Sequence, residues 1–383
     1  MQNIRTQIDQ IINGIEKEKI DTYSLYGGVT GSLLFKTFYN LHVENNKIDI
    51  NTELELLIDN SLENKIVSMS NGKTGINWFF SYLKKNDLID RYDHESICLD
   101  DPFLKEVSLT YFSKNNWDFL HGGLGIAYYA LYNTINFDNE YFNKVFNELF
   151  RISNLNTKYQ MFIDEQVDNE QRVNLGLAHG IPSILKFCIQ SYKQGICKYQ
   201  AKKLAYKIIN FLLENSFKHE LEYCYYPPTI SDEKNIPSRL GWCYGDLGIG
   251  FILFQASQIF HDTKVKDFSL EILISSTKRR LLNETIVLDA GICHGSAGIA
   301  HIFNKMAHYT NNIIFKEAAD YWVKITLDFA YNKNGIGGYK IYDSLNEKWK
   351  KEVGFLEGSI GIGLVLSSYL TGNFDWDYCI MLN

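Results

Sequence analysis

The feature that most restricts this chain is a short glycine phrase that returns seven times. A Gly-x-x-Gly pair followed by an apolar run appears as "SLYGGVTGSLLF", "SMSNGKTGINWFF", "FLHGGLGIAYYAL", "GLAHGIPSIL", "WCYGDLGIGFILF", "ICHGSAGIAHIF" and "FLEGSIGIGLVL". The first glycines are Gly28, Gly72, Gly122, Gly180, Gly245, Gly295 and Gly358. In the fourth copy Pro182–Ser183 stand where the second glycine is expected. Successive copies lie 44 to 65 residues apart, the period of a helical hairpin with its loops.

The segments between copies are one-faced helices. Phe315, Ala318, Trp322, Ile325 and Phe329 step by three and four, as do Ala201, Leu204, Ala205, Ile208 and Leu212. The runs after each glycine pair are apolar all round, which suits inner helices. The pattern predicts an all-α fold: an α/α toroid of seven inner and seven outer helices, with an open solenoid as the alternative. It is read as a single domain over 1–383, with a small insertion around 84–112. Residues 156–174, 222–238 and 337–354 carry turn residues and aromatics and are expected to form short hairpins or functional loops. Glycine at each inner-helix start is expected to allow positive φ and close backbone approach. All seven starts should then face one end of the ring, around a central cavity.

Five prolines in 383 residues favour long helices over many short strands. The net charge of −7, with no basic face, argues against a nucleic-acid partner. No run approaches the ~20 apolar residues of a transmembrane segment. The amphipathic N-terminus lacks the apolar run of a signal peptide, so the expected location is cytoplasmic. Seven irregularly spaced cysteines do not read as a disulfide framework, which leaves metal ligation or nucleophilic chemistry open.

Alignment on the first glycine separates scaffold from chemistry. The residue just before it is Gly27, Asn71, His121, His179, Tyr244, His294 or Glu357, and two before it stand Tyr26, Ser70, Leu120, Ala178, Cys243, Cys293 and Leu356. Cys243 and Cys293 share a phase in adjacent copies, and His294 follows one of them. Two thiolates and an imidazole make a three-ligand zinc site with the fourth position open, the catalytic pattern. The competing reading is two small buried thiols at tight helix starts.

His179 has the phase of His294 and is a candidate acid/base; otherwise it is a histidine satisfied by loop carbonyls. Asp118 lies four before Gly122 and is a candidate partner for that histidine, or a helix cap. Arg239 lies four before Cys243 and is a candidate stabiliser of an oxyanion, or the partner of a surface carboxylate. His121 and Glu357 are weaker candidates, and His301, two turns into its helix, is read as core.

At these residues the sequence resembles the lanthionine synthetase C family, the LanC-like cyclases. The matching elements are "WDFLHGGLG", "LGLAHG", "RLGWCYGDLG", "CHGSAG" and "FLEGSIG", in the family's order and spread over most of the chain. Leu247, where many relatives have proline, and Pro182–Ser183 depart from the pattern without removing a reacting group. The resemblance implies an α/α toroid and one zinc ion per chain, on Cys243, Cys293 and His294. It places His179, Asp118, Arg239 and Tyr244 at positions implicated in the reaction.

The expected activity is that of the stand-alone class I lanthipeptide cyclase. Such an enzyme adds cysteine thiols of a dehydrated precursor peptide to dehydroalanine or dehydrobutyrine, forming thioether rings. A lanthipeptide dehydratase and an exporter are candidate docking partners, with membrane association through such a complex. The rival expectations are addition of glutathione or another small thiol, a non-catalytic peptide-binding toroid, and a metal-independent sugar epimerase or glycosidase.

Overall fold

The computed structural model describes residues 2–44, 48–61, 65–164, 171–217, 224–231, 236–344 and 346–383. Seven helices follow the seven glycine pairs: α2 (Val29–His42), α4 (Lys73–Lys85), α7 (Gly123–Tyr132), α9 (Ile181–Lys193), α11 (Asp246–Phe260), α14 (Ser296–Thr310) and α16 (Ser359–Thr371). Each touches the next in chain order, and α16 returns to α2, so the ring is closed and the open solenoid is excluded.

Seven further helices lie outside: α1 (Gln2–Ile15), α3 (Asn51–Ser61), α6 (Asp101–Ser113), α8 (Asn139–Ser153), α10 (Lys198–Glu214), α12 (Thr263–Ser276) and α15 (Ile313–Asp328). Two short helices complete the set, α5 (Arg91–Ile97) and α13 (Leu282–Thr285). Within 84–112, α5 packs on α4, and α6 packs on α7 and α8 as an outer helix of the ring.

Burial follows the sequence periodicity. Ala201, Leu204, Ala205, Ile208 and Leu212 of α10 are all buried. In α15, Phe315, Ala318 and Trp322 are buried, whereas Ile325 and Phe329 are only half-covered at the helix end. Removing such a stripe from water at about 25 cal/mol per Å² is what holds an outer helix to the ring.

The two helix classes begin differently. Three outer helices, α8, α12 and α15, use side-chain caps: Asp138 accepts from Tyr141 N, Asp262 from Val265 N and Asn312 from Ile314 N, whereas α6 and α10 start without one. Inner helices start at a glycine with no side-chain cap. There the free N–H turns back to a carbonyl seven residues earlier: Val29 to Thr22 (2.8 Å), Lys73 to Ile66 (2.9 Å), Ser296 to Asp289 (3.0 Å) and Ser359 to Glu352 (3.1 Å).

This wrap explains the glycine. A Cβ at Gly295 would lie 2.7 Å from the Asp289 carbonyl oxygen, and one at Gly358 2.5 Å from that of Glu352. Positive φ, expected from the sequence, occurs at Gly245 alone (φ 99°); the other six first glycines are extended. Close approach, rather than backbone handedness, is the general reason for the phrase. In the fourth copy Pro182 falls in the first turn of α9, where its missing N–H costs nothing. The Ser183 hydroxyl donates to the Gly180 carbonyl at 2.6 Å.

Backbone hydrogen bonds join six of the seven neighbouring loop pairs at one end of the ring, all but the third and fourth among the described residues. Tyr26 N donates to Ser70 O, Ser70 N to Leu120 O, Leu177 N to Cys243 O, Cys243 N to Cys293 O, Cys293 N to Leu356 O, and Phe355 N to Tyr26 O. The middle of the ring is filled by a 3-10 helix, Asp375–Ile380. Trp242 Nε1 donates to Ile380 O (2.9 Å) and Tyr26 Oη to Cys379 O (2.5 Å). His301 is core, as expected: its Nε2 meets buried Asp377 at 3.0 Å.

Two small antiparallel pairs lie outside the helices. β1 (Val173–Asn174) pairs with β2 (Thr229–Ile230), joining the first two insertions to each other, and the first also closes on itself through an antiparallel bridge between Asp164 and Arg172. β3 (Ile341–Asp343) and β4 (Lys348–Lys350) form the expected hairpin of the third. Residues 165–170, 222–223, 232–235 and 345 of these insertions fall outside the described residues. Among the described residues no helix is long and apolar enough to cross a membrane.

Candidate metal centre and its cavity

The loop before α11 and the loop before α14 are neighbours in the circle, joined by Cys243 N to Cys293 O at 3.1 Å. Equal phase in adjacent copies therefore becomes proximity. One ligand atom from each of Cys243, Cys293 and His294 falls within 4.8 Å of the others. Tetrahedral coordination at zinc–sulfur distances of about 2.3 Å places two sulfurs about 3.8 Å apart, so the donors are close enough to share one ion. Cys243 is buried, and Cys293 and His294 are half-buried. Among the described residues no other three His, Cys, Asp or Glu side chains converge so closely.

The charges fit a cation. The Cys243 thiol is pulled down to about 5 by its hydrogen bond with Cys293, then by His294 and Arg239, against burial. Cys293 is pushed well up by Cys243 and by burial, because two adjacent thiols cannot both ionise without a positive charge between them. His294 is raised, first by its hydrogen bond to Cys243. This donor set is soft and ionisable, as suits zinc.

Two carboxylates hold the loops in place. Asp289 Oδ1 accepts from Gly291 N (3.0 Å) and Oδ2 from Tyr342 N (3.1 Å), which fastens the β3–β4 hairpin to the Cys293 loop. Buried Asp246, in the first turn of α11, accepts from Tyr225 N (3.1 Å) and Tyr226 N (3.0 Å). Arg279 stands 3.7 Å from Asp246 and also donates to Ser238 O (2.9 Å), next to Arg239. Burial raises Asp246 to about 6, with Arg279 acting against it.

The other residues singled out by the sequence gather around this triad. His179 Nδ1 meets Asp118 Oδ2 at 2.6 Å. Asp118 Oδ1 also accepts from His121 N (2.7 Å), so this one carboxylate both shapes its loop and partners the histidine. Burial opposes the charge on His179, yet Asp118 outweighs it, aided by Cys243, and the imidazole is raised above its usual 6.5.

Asp118 and His179 line a cavity of about 180 Å³ with Lys114, Asn116, Trp117 and Asp164. Arg239 is half-buried, acts electrostatically on both thiols, and pairs with no carboxylate among the described residues. Tyr244 is half-buried beside Cys243. His121 is exposed and stacks on His179 (centroids 6.1 Å apart), and Glu357 is exposed.

Sequence reasoning passed over Asn174 and Asp164. Asn174 Nδ2 donates to Asp164 Oδ2 (2.8 Å) and to Tyr244 Oη (3.1 Å), which places both residues in the site. The signal was available: Asn174 stands six before Gly180, in the same column as Arg239 and Asp289.

Sixteen solved chains match this one. One of them, "Nisin cyclase", superposes with a TM-score of 0.75 over 100% of this chain and 98% of that chain, at 19% identity. At that identity the likeness speaks for the shared α/α toroid. No curated protein sequence matches. The model of the family described as "Lanthionine synthetase C-like protein" matches residues 19–381, which takes in all seven glycine loops and the three converging side chains. The chain belongs to the lanthionine synthetase C-like family.

Proposed function

We propose that this chain is a zinc-dependent lanthipeptide cyclase, acting as one domain over 1–383. The observation that carries the reading is the meeting of Cys243, Cys293 and His294 beside the His179–Asp118 pair, in a member of this family. A zinc ion, which Cys243, Cys293 and His294 would hold, would supply the positive charge that keeps a substrate thiol deprotonated at neutral pH.

The chain's own residues do the rest. The peptide sulfur forms a bond to the β-carbon of dehydroalanine or dehydrobutyrine, and the double-bond electrons move onto the adjoining carbonyl oxygen as an enolate. Arg239 offers its charge to that oxygen. His179, protonated and held at Nδ1 by Asp118, delivers a proton to the α-carbon from Nε2. The thiol proton is thereby replaced at carbon, and no oxidant or reductant is needed. On this reading the substrate is a precursor peptide, and a dehydration reaction must supply it.

The test is incubation of the zinc-loaded protein with a dehydrated, cysteine-containing peptide, with and without glutathione. Ring closure leaves the peptide mass unchanged while its thiols stop reacting with an alkylating agent. Metal analysis should return one zinc per chain. A gain of one glutathione mass per dehydrated residue would favour the small-thiol reading. A protein without zinc or turnover would favour a binding toroid.

A further inference from the structure

Asn174 is pinned on three sides. Its backbone lies in β1, paired with Thr229 of β2. Its Oδ1 accepts from Gly176 N at 2.8 Å. A backbone N–H can only donate, so that contact fixes which end of the amide is oxygen. The two hydrogens of Nδ2 then go to Asp164 Oδ2 (2.8 Å) and Tyr244 Oη (3.1 Å).

The consequence falls on Tyr244. Its oxygen is the acceptor in the bond from Asn174, so its own hydrogen must point elsewhere. Among the described residues nothing accepts that hydrogen. The ring is half-buried next to Cys243 and packs over Gly176, where a Cβ would lie 2.7 Å from the ring. Asp164, the other partner of Asn174, lines the cavity with Asp118 and His179. The unspent proton is therefore at the wall of the reaction site.

We propose that Asn174, braced by Asp164, fixes the Tyr244 hydroxyl as a hydrogen-bond donor to the carbonyl oxygen that becomes the enolate. The inference rests on the cyclase reading and adds two positioning residues to it. A phenol donor that stabilises charge developing on oxygen contributes about 10²-fold to 10³-fold in turnover when it is pre-aimed. Without Asn174 the hydroxyl is free to rotate away, and part of that factor is lost.

Asn174→Asp tests the direction of the bond. The variant keeps an acceptor for Gly176 N–H and nearly the same shape. Its carboxyl and that of Asp164, 2.8 Å away, share one proton, so it offers Tyr244 an acceptor in place of a donor. The hydroxyl proton should turn to residue 174. The expected result is unchanged zinc content, KM within about twofold, and kcat down about 10²-fold. Tyr244→Phe should lose a similar factor, and the double variant should be no slower than Tyr244→Phe alone, because both remove one donor.

Wild-type kcat in either single variant overturns the inference, as does a double variant in which the two losses multiply. The Tyr244 ¹³Cζ resonance, assigned by its loss in Tyr244→Phe, gives a second readout without turnover. It should shift in Asn174→Asp, and an unmoved resonance overturns the inference whatever the activity. A wild-type protein that closes no ring counts against the cyclase reading, while the resonance still reports on the bond.

Discussion

The two sides of the rim share one scaffold and differ in chemistry. On one side, the first two copies carry Tyr26–Gly27 and Ser70–Asn71 before the first glycine. On the other, the fifth and sixth carry Cys243–Tyr244 and Cys293–His294. Both sides wrap a loop onto an uncapped helix start, and both pass a backbone hydrogen bond to the next copy. The loop wrap and its link to the next copy use only the backbone at the positions one and two before the glycine, so their side chains can differ from copy to copy. Tyr26 braces the central 3-10 helix, while Cys243, Cys293 and His294 converge. These positions are where this ring can carry a function without disturbing its frame.

The strongest way to break that comparison is substitution at equal phase. His294→Ala and Asn71→Ala change the same position on the two sides, and Cys243→Ala removes a second donor. The two site variants should lose bound zinc and essentially all ring closure, a fall of more than about 10³-fold. Asn71→Ala should keep both, since Asn71 is an exposed side chain on the plain side. Metal content and peptide turnover read the result. Stoichiometric zinc in Cys243→Ala would remove that residue from the ligand set.

A smaller effect is expected one copy away from the ligands, at the His179–Asp118 pair. Two opposing causes act on His179: burial lowers its pKa, and the Asp118 carboxylate raises it by more. A histidine that delivers a proton works in its protonated form, so turnover should fall as pH rises through that raised value. Asp118→Asn removes the raising cause and leaves the burial. The fall should then begin at lower pH, with turnover at neutral pH down by about 10²-fold. A pH profile with an unmoved alkaline limb would take His179 out of the proton-delivering role.

The ring was legible in the sequence because its signals are periodic. Seven glycine pairs and three-four apolar stripes are repeated measurements of one geometry, and the closed seven-plus-seven toroid followed from them. The convergence of Cys243, Cys293 and His294 was legible for the same reason, since equal phase in adjacent copies became adjacency in space. The reason for the glycines was less legible. Gly245 has positive φ, yet Gly28, Gly72 and Gly295 are extended and are held to glycine by a carbonyl that wraps back from six residues earlier. Composition does not distinguish those two causes.

Nor did the sequence show that β1 and β2 come from different insertions, a pairing that spans 173 to 230. Asn174 was missed because its role depends on that long-range pairing and on a turn to Gly176. The column it occupies is marked only by polarity, and it also holds Thr22 and Ile66. Of the two readings of Asp118, the partner of His179 stands and the helix cap does not: α7 starts at Gly122 with no side-chain cap, and the second Asp118 oxygen accepts from His121 N within the loop.

The finest test of the comparison uses the second glycine of each pair. A Cβ at Gly298 would collide with the Ile292 carbonyl, and one at Gly31 with the Leu25 carbonyl, so the same wrap is strained in both variants. Overpacking of this kind costs about 1–3 kcal/mol. Gly31→Ala and Gly298→Ala should therefore both lower the thermal midpoint of the zinc-free protein, Gly298→Ala by more, since its Cβ would fall closer to the facing carbonyl oxygen than the one at Gly31. With zinc bound the two should separate further. Ile292 adjoins Cys293, so the displaced loop weakens the metal site, and the variant also loses stabilisation that binding gives the native state. Leu25 adjoins Tyr26, which holds no ligand. The gap between the two should accordingly widen when loaded, and a chelator should return it to its zinc-free size. An unchanged gap would mean that the frame absorbs the strain before it reaches Cys293, and that frame and site are more independent than their shared loop implies.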